Sequence, residues 1–503
     1  LSLVGLDVGT SGSKGLLLTT DGRDLGTAQV PYPLSFPRQG WVELDSDTVW
    51  AAVQTVISHL ARVSQTAGDP IQALAFSVSG DEAVPVDAEG HALYPCMMSM
   101  DTRTRHVVRW WEREVGAERV YQATGLRPAE NWPLIRLMWL REQEPQIFGR
   151  TAQMLAWEEL MILRLTGEAV TEHSLASRSM AFDIHTRAWS PEMLALAEIP
   201  SSMFPRSEES GVVVGQVSAQ AAEALGLPPS TRVVSGGFDQ GMAALGAGLS
   251  RPGDAVVGTG TWEALTVLTE RAALSPALCA GGYTSGCYVN RDLYYCMATN
   301  PGGGSVLRWF RDTLGREEME VSRRTGVDAF ELLLRDVPDQ PTGMLVLPHF
   351  EGSYTPWMDP DSTGAILGLR LSTSREQLIR ALLEGVTFEL LENVVRLEEA
   401  GVTVGTIRAT GGGARSPLWL QLKADITGRP VTRVATEEAG CLAAACLAGV
   451  GVGAFSTVAQ ALESFVRLGP TYEPRSTVHE AYRPLFDKYR RLYATLRPLD
   501  VGR

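Results

Sequence analysis

The chain has no apolar run long enough to cross a membrane and no C-x-x-C pair among its six cysteines. Cys96, Cys279, Cys287, Cys296, Cys441 and Cys446 have mostly apolar neighbours, which predicts buried free thiols in a reducing compartment. The seven histidines are scattered without metal-type spacing, which argues against a structural transition-metal site. Positive charge is short as well: 44 Lys and Arg against 58 Asp and Glu leave a net charge of −14. A general nucleic-acid binder is therefore not expected, because phosphate backbones would find no basic footprint. The first residues fall inside a predicted strand, not in a basic segment followed by an apolar one, so no secretory signal is read and a cytoplasmic location is expected. A Walker A loop is missing, and so is a G-x-G-x-x-G fingerprint after a strand. No low-complexity linker interrupts the chain.

What is present points to two domains around a phosphate site. At 503 residues the chain is too long for one compact core. Leu3 to Leu17 reads as a strand, a turn of Gly, Thr and Ser with one Lys, and a second strand. Glycines at 9, 12 and 15 let backbone N–H groups come close to a ligand, Thr10, Ser11 and Ser13 add hydroxyls, and Lys14 adds a cation. Such a concavity suits phosphate. Asp7 at its mouth would repel phosphate unless a divalent cation lay between them, which suggests Mg²⁺. Ala255 to Leu268 repeats the strand, Gly/Thr turn and strand without the carboxylate, as a duplicated nucleotide-binding domain would.

Apolar spacing predicts a helix through Val49, Val53, Ile57 and Leu60, with Asp45, Ser46 and Asp47 as N-cap candidates. Ile71–Ser79 reads as a buried strand, and Thr231–Asp239 as another that ends in glycines and a carboxylate. The small-residue helix after it closes a first domain at 1–248, leaving 249–503 as the second. In the second half, Asn300–Ser305 reads as a loop too flexible for the core. Gly343–Pro348 reads as a strand, and a long helix from Ser374 stacks Leu378, Leu382, Val386 and Leu390. The Thr406–Thr410 strand runs into Gly411-Gly412-Gly413-Ala414, and helices follow from Pro417 and Glu438.

Moving a γ-phosphoryl group requires charge neutralisation, in-line positioning and a group that takes the acceptor's proton. Asp7 and the first turn offer the first of these, and Thr259, Gly260 and Thr261 offer a second grip on phosphates. Gly411–Gly413 offers a flat backbone surface for adenine and ribose. Asp239, alone at a strand end, reads equally well as a general base or as a cap for the following helix. Gly411–Gly413 taken alone reads as tight packing, and Lys14 as a solvated hairpin residue.

These patterns together resemble the FGGY family of carbohydrate kinases, and within it the xylulokinase-like members, over essentially the whole chain. Gly5–Lys14 is similar to the family's first phosphate motif, Gly40–Asp45 to its lead-in to the first long helix, and Pro133–Gln143 to its first signature with Arg136 where Lys is usual. Gly364–Leu369 with Gln377–Leu378 and Ala381–Glu384 is similar to the second signature. Gly236–Gln240 resembles the catalytic-base segment and Ala409–Ala414 the adenosine motif. The resemblance implies two actin-like, ribonuclease H-like α/β domains with a central cleft, Mg-ATP as donor, and a sugar or polyol as the only partner, with a homodimer admitted. It implies Asp7 and Asp239 as the catalytic and metal-associated pair. Gly9, Thr10, Ser11, Lys14, Thr259, Gly260, Thr261, Gly303, Gly411, Gly412, Gly413 and Ala414 would serve the nucleotide. Asp81, Asp101, Arg103, Asp239 and Gln240 would serve the sugar. The expected acceptor is a hydroxyl of a ketopentose, D-xylulose first, with another ketose or small polyol behind it. Asp81, Glu82 and Asp101 together would disfavour an acidic sugar. From another class, an actin-like ATPase scaffold is the alternative.

Overall fold

A computed structural model describes residues 1–436 and 438–499. Two seven-stranded mixed sheets organise it. In the first, the order in space is Val213–Gln216, Arg232–Val234, Ile71–Val78, Ser2–Val8, Gly12–Thr19 and Asp24–Pro31, with Gly237–Phe238 also paired to Ile71–Val78. In the second it is Thr284–Cys287, Tyr294–Asn300, Glu263–Thr269, Ala255–Thr259, Ile407–Thr410, Val431–Val434 and Leu468–Tyr472. Each sheet has an antiparallel three-strand meander, a parallel strand beside the meander's first strand, a further parallel strand, and an antiparallel edge. The expected duplication of the two Gly/Thr hairpins is thus the duplication of a whole sheet.

The helix Ser46–Ala67 starts where its caps predict: the Asp45 carboxylate accepts the Thr48 N–H at 2.9 Å, and Gly68 ends it in the left-handed region. Ala439–Gly451 lies in sequence between the last two strands of the second sheet, Val431–Val434 and Leu468–Tyr472, yet it is buried in the apolar core built on the first. Small residues allow the approach. A Cβ on Gly5 would stand 1.7 Å from the Cys441 carbonyl oxygen, so strand and helix backbones touch there.

Three expectations change. Thr231–Asp239 is not one strand: it breaks at Ser235–Gly236, and Asp239 begins the helix Asp239–Gly246. Asn300–Gly303 is packed and buried, because the missing side chains of Gly302 and Gly303 let it abut the backbones of Pro348, Trp262 and Glu263. The helix Arg375–Glu399 is not one-faced. It also buries Arg380, Glu384, Glu389 and Glu392, met by Tyr482, Tyr489, Thr342 and Arg490. All six cysteines are buried and free. Among the described residues no helix is long and apolar enough to cross a membrane.

Candidate active site

Three parallel strand ends of the first sheet carry carboxylates to one edge. Asp7 on Ser2–Val8 and Gly237 on Gly237–Phe238 both pair with Ser77 of the strand between them, so they share one row across the sheet. With adjacent strands about 4.8 Å apart, that row brings Asp7 within about 10 Å of Gly237. Asp239 follows two residues on, and Asp81 lies just beyond the end of the central strand. This is the carboxyl edge, where open α/β sheets bind ligands.

The electrostatics agree with the topology. Burial pushes the Asp239 carboxyl well above the usual carboxylate range, and the charges of Asp7, Asp81 and Glu82 push it further, against a hydrogen bond from the Gln240 N–H. Burial also raises Asp7, while a 2.7 Å hydrogen bond from the Ser77 hydroxyl and the charge of Lys14 pull it back. Asp7, Asp81, Asp239 and Gln240 all keep partial exposure, so their side chains reach solvent at this edge. Among the described residues Asp239 forms no ion pair.

Asp81 is already engaged. One carboxylate oxygen accepts from Arg178 at 2.8 and 3.1 Å and the other from Asn131 at 2.7 Å. Arg178 is buried between the rings of Trp132 and Phe238, each 4.6 Å away. Asp101 and Arg103 are buried and spend their polar atoms on each other, at 2.6 and 2.9 Å, with Arg103 also meeting Glu43 and lying 3.6 Å over the Trp41 ring. Burial raises Glu82, with Asp81 adding to the shift. The charge argument against an acidic sugar therefore weakens, since two of its three carboxylates are ion-paired within the protein.

In the first turn, Gly9 donates its N–H to the Gly12 carbonyl, and the Tyr32 hydroxyl donates to the Gly9 carbonyl at 2.6 Å. Among the described residues the amides and hydroxyls of Thr10 and Ser11 meet no protein partner, which suits an anion. Lys14 pairs instead with Glu438, 3.3 Å away and just before the Ala439 helix; both are over a third exposed, so this bridge contributes little stability.

In the second half, Thr259, Gly260, Thr261, Gly412 and Gly413 line one cavity of about 780 Å³, walled by Leu307, Phe330, Leu418 and Trp419. That size and apolar lining suit a nucleoside. Beneath it the buried Thr259 hydroxyl donates to Glu263 at 2.7 Å, and Glu263 also accepts from buried Lys423. Gly303, Gly411 and Ala414 are not part of the lining. Gly411 is at φ 81°, and a Cβ there would stand 2.7 Å from the Thr259 carbonyl oxygen, so its role is close packing. Gly412 faces open space. A Gly412→Val substitution is therefore expected to raise the KM for ATP by about 10-fold while leaving the thermal midpoint unchanged. Gly413→Ala, whose Cβ would come within 2.8 Å of the Thr259 Cβ, is expected to lower the midpoint instead. Steady-state kinetics and thermal melts of both variants check this contrast.

Sequence reading missed Arg178, Asn131, Ser77, Glu263 and Lys423. A lone arginine inside Ala176–Phe182, an otherwise small and apolar stretch, was the available signal for the first.

A family model described as FGGY family of carbohydrate kinases, N-terminal domain, matches residues 2–246, and the C-terminal domain model matches 255–452. Among curated proteins, the chain is 28% identical to a xylulose kinase of Bacillus subtilis over 501 residues, covering 99% of this chain and 98% of that one. It is also 28% identical to an L-xylulose/3-keto-L-gulonate kinase of Escherichia coli, covering 98% and 97%. Among solved structures, xylulose kinase from Rhodospirillum rubrum superposes with a TM-score of 0.91 at 28% identity, covering 99% of each chain.

Proposed function

The chain belongs to the FGGY family of carbohydrate kinases, and from that premise we propose that it transfers the γ-phosphoryl group of Mg-ATP to a hydroxyl of a ketopentose, D-xylulose first. The carrying observation is the convergence of Asp7 and Asp239 on one sheet edge, close enough that the charge of one raises the other.

In this reading Asp239 takes the proton of the attacking sugar hydroxyl. A carboxyl held well above its usual range is a stronger base once ionised. Asp81, oriented by Arg178 and Asn131, accepts a sugar hydroxyl. Gln240, beside Asp239 on the same helix, adds a side-chain amide to the sugar site. Asp101 and Arg103 hold the adjoining loop through their mutual pair. The cavity at Thr259–Thr261 and Gly412–Gly413 takes adenosine, and Thr10 and Ser11 offer unpaired donors to its phosphates.

A divalent cation fits the residues present: burial raises both carboxyls, the charge of Asp7 raises Asp239 further, and among the described residues neither is ion-paired. Asp7 and Asp239 would hold it, and when bound it supplies neutralising charge to the phosphoryl group in flight. The first domain, 1–248, would thus carry the sugar side and the base, and 249–503 the nucleotide side.

A keto acid is the second reading, favoured by the ion-pairing of Asp81 and Asp101 and by the relative named for 3-keto-L-gulonate. ADP release measured against D-xylulose, L-xylulose, D-ribulose, glycerol, erythritol, gluconate and 3-keto-L-gulonate separates the two. The proposal expects the highest kcat/KM with a ketopentose. A preference for a carboxylated sugar would replace it with the second reading, and no stimulation by any acceptor would overturn both.

A further inference from the structure

The strand that delivers Asp239 is only two residues long and has a neighbour on one side alone. Gly237 and Phe238 pair with Ser77 and Val78. In extended chain the N–H groups of residues two apart point to the same edge, so those of Gly236 and Phe238 share a side. Buried amides left without partners there would be costly. Two side chains supply what a missing strand would. Glu158, on the helix Trp157–Thr166, accepts the Gly236 N–H through Oε1 at 2.5 Å. Ser174 accepts the Phe238 N–H through Oγ at 3.0 Å. The serine is itself fixed, donating its hydroxyl to Glu172 Oε1 at 2.6 Å, while Glu172 Oε2 accepts the Ser174 N–H at 2.7 Å and the Ser210 hydroxyl at 2.8 Å.

Glu158, Glu172 and Ser174 are all 0% exposed, so none of these contacts competes with water. The segment has no room to yield on its other faces. A Cβ on Gly236 would stand 1.7 Å from the Phe76 carbonyl oxygen, and one on Gly237 would stand 2.4 Å from Val289. Glu158 Oε2 meets no partner among the described residues. Burial and the neighbouring Glu172 push the Glu158 carboxyl well above the usual carboxylate range, while the hydrogen bond from the Gly236 N–H pulls it back.

We propose that Glu158 and Ser174 are positioning residues for Asp239, pegging the two amides that precede it and so fixing where its carboxylate meets the acceptor hydroxyl. This rests on the reading of Asp239 as the base. The pegs touch neither sugar nor nucleotide, so their loss acts on kcat and spares the KM for ATP.

The test compares Glu158→Ala, Glu158→Gln, Ser174→Ala and Asp239→Asn in the full chain. The readouts are kcat, both KM values, ADP binding and the thermal midpoint. Glu158→Ala is expected to lose about 10- to 100-fold in kcat with ADP binding intact, the penalty of a base displaced by a fraction of an ångström to one ångström. Glu158→Gln presents an oxygen to the same N–H and is expected to restore kcat to within about 3-fold of the parent. Ser174→Ala leaves the Glu158 peg in place and is expected to lose kcat to a smaller extent, which keeps the proposal testable if Glu158→Ala does not fold. A parental kcat in folded Glu158→Ala or in Ser174→Ala overturns the proposal, as does Glu158→Gln impaired as badly as Glu158→Ala. If Asp239→Asn turns over at the parental rate, the assignment of the base has failed instead.

Discussion

Asp239→Asn is expected to lower kcat by roughly 10²- to 10⁴-fold, the usual contribution of a positioned general base. ADP binding should be spared, because the proposed nucleotide cavity is built from Thr259–Thr261, Gly412–Gly413 and the residues around them. Stability should move the other way. The folded protein holds Asp239 well above the usual carboxylate range, so ionising this carboxyl costs the folded state free energy as pH rises. That penalty is absent below the unfolded value and grows towards the folded one. Asparagine removes it, and the thermal midpoint of the unliganded variant at neutral pH should rise, with the gain fading as pH falls towards about 4. Kinetics and melts at two pH values check both signs together. Loss of activity accompanied by a lower midpoint would instead mark Asp239 as a cap for the helix it begins.

Asp7→Asn carries the second large effect, a fall of about 10²- to 10³-fold in kcat, typical of losing an electrostatic group aimed at developing charge. Two signatures separate it from Asp239→Asn. The Mg²⁺ concentration for half-maximal rate should rise, because one of the two carboxylates proposed to hold the ion is gone. The acid limb of kcat/KM should also shift to lower pH, since the charge of Asp7 is the largest Coulombic push on Asp239. A variant with parental Mg²⁺ dependence and an unmoved acid limb would remove Asp7 from the site. The asparagine can still accept from the Ser77 hydroxyl, so folding should be retained.

The parts of this protein that sequence made legible are those set by local chemistry. A Gly/Thr turn between two apolar runs has few foldings available, so both hairpins were readable, as were Asp45 among three N-cap candidates and the start of the long helix at Ser374. Asp7 was readable because a carboxylate between an apolar strand and a small-residue turn has little structural use. What stayed hidden depends on partners far away in the chain. Arg178 meets Asp81 across 97 residues, Glu158 meets Gly236 across 78, and Lys423 meets Glu263 across 160. The burial of Arg380, Glu384 and Glu389 depends on tyrosines about 100 residues away, and no spacing rule within the helix reports them. The Asn300–Gly303 run misled for a related reason. Glycine reads as flexibility in a sequence, but where two backbones must abut it is the residue that allows packing.

Phosphorus NMR of the protein mixed with Mg-ATP and D-xylulose tests the central claim most directly, because it reads the fate of the γ-phosphoryl group. The account predicts a sugar phosphomonoester resonance growing in step with ADP, with inorganic phosphate minor, and neither appearing at a comparable rate in Asp239→Asn. ADP accompanied only by inorganic phosphate, whatever sugar is supplied, would contradict it.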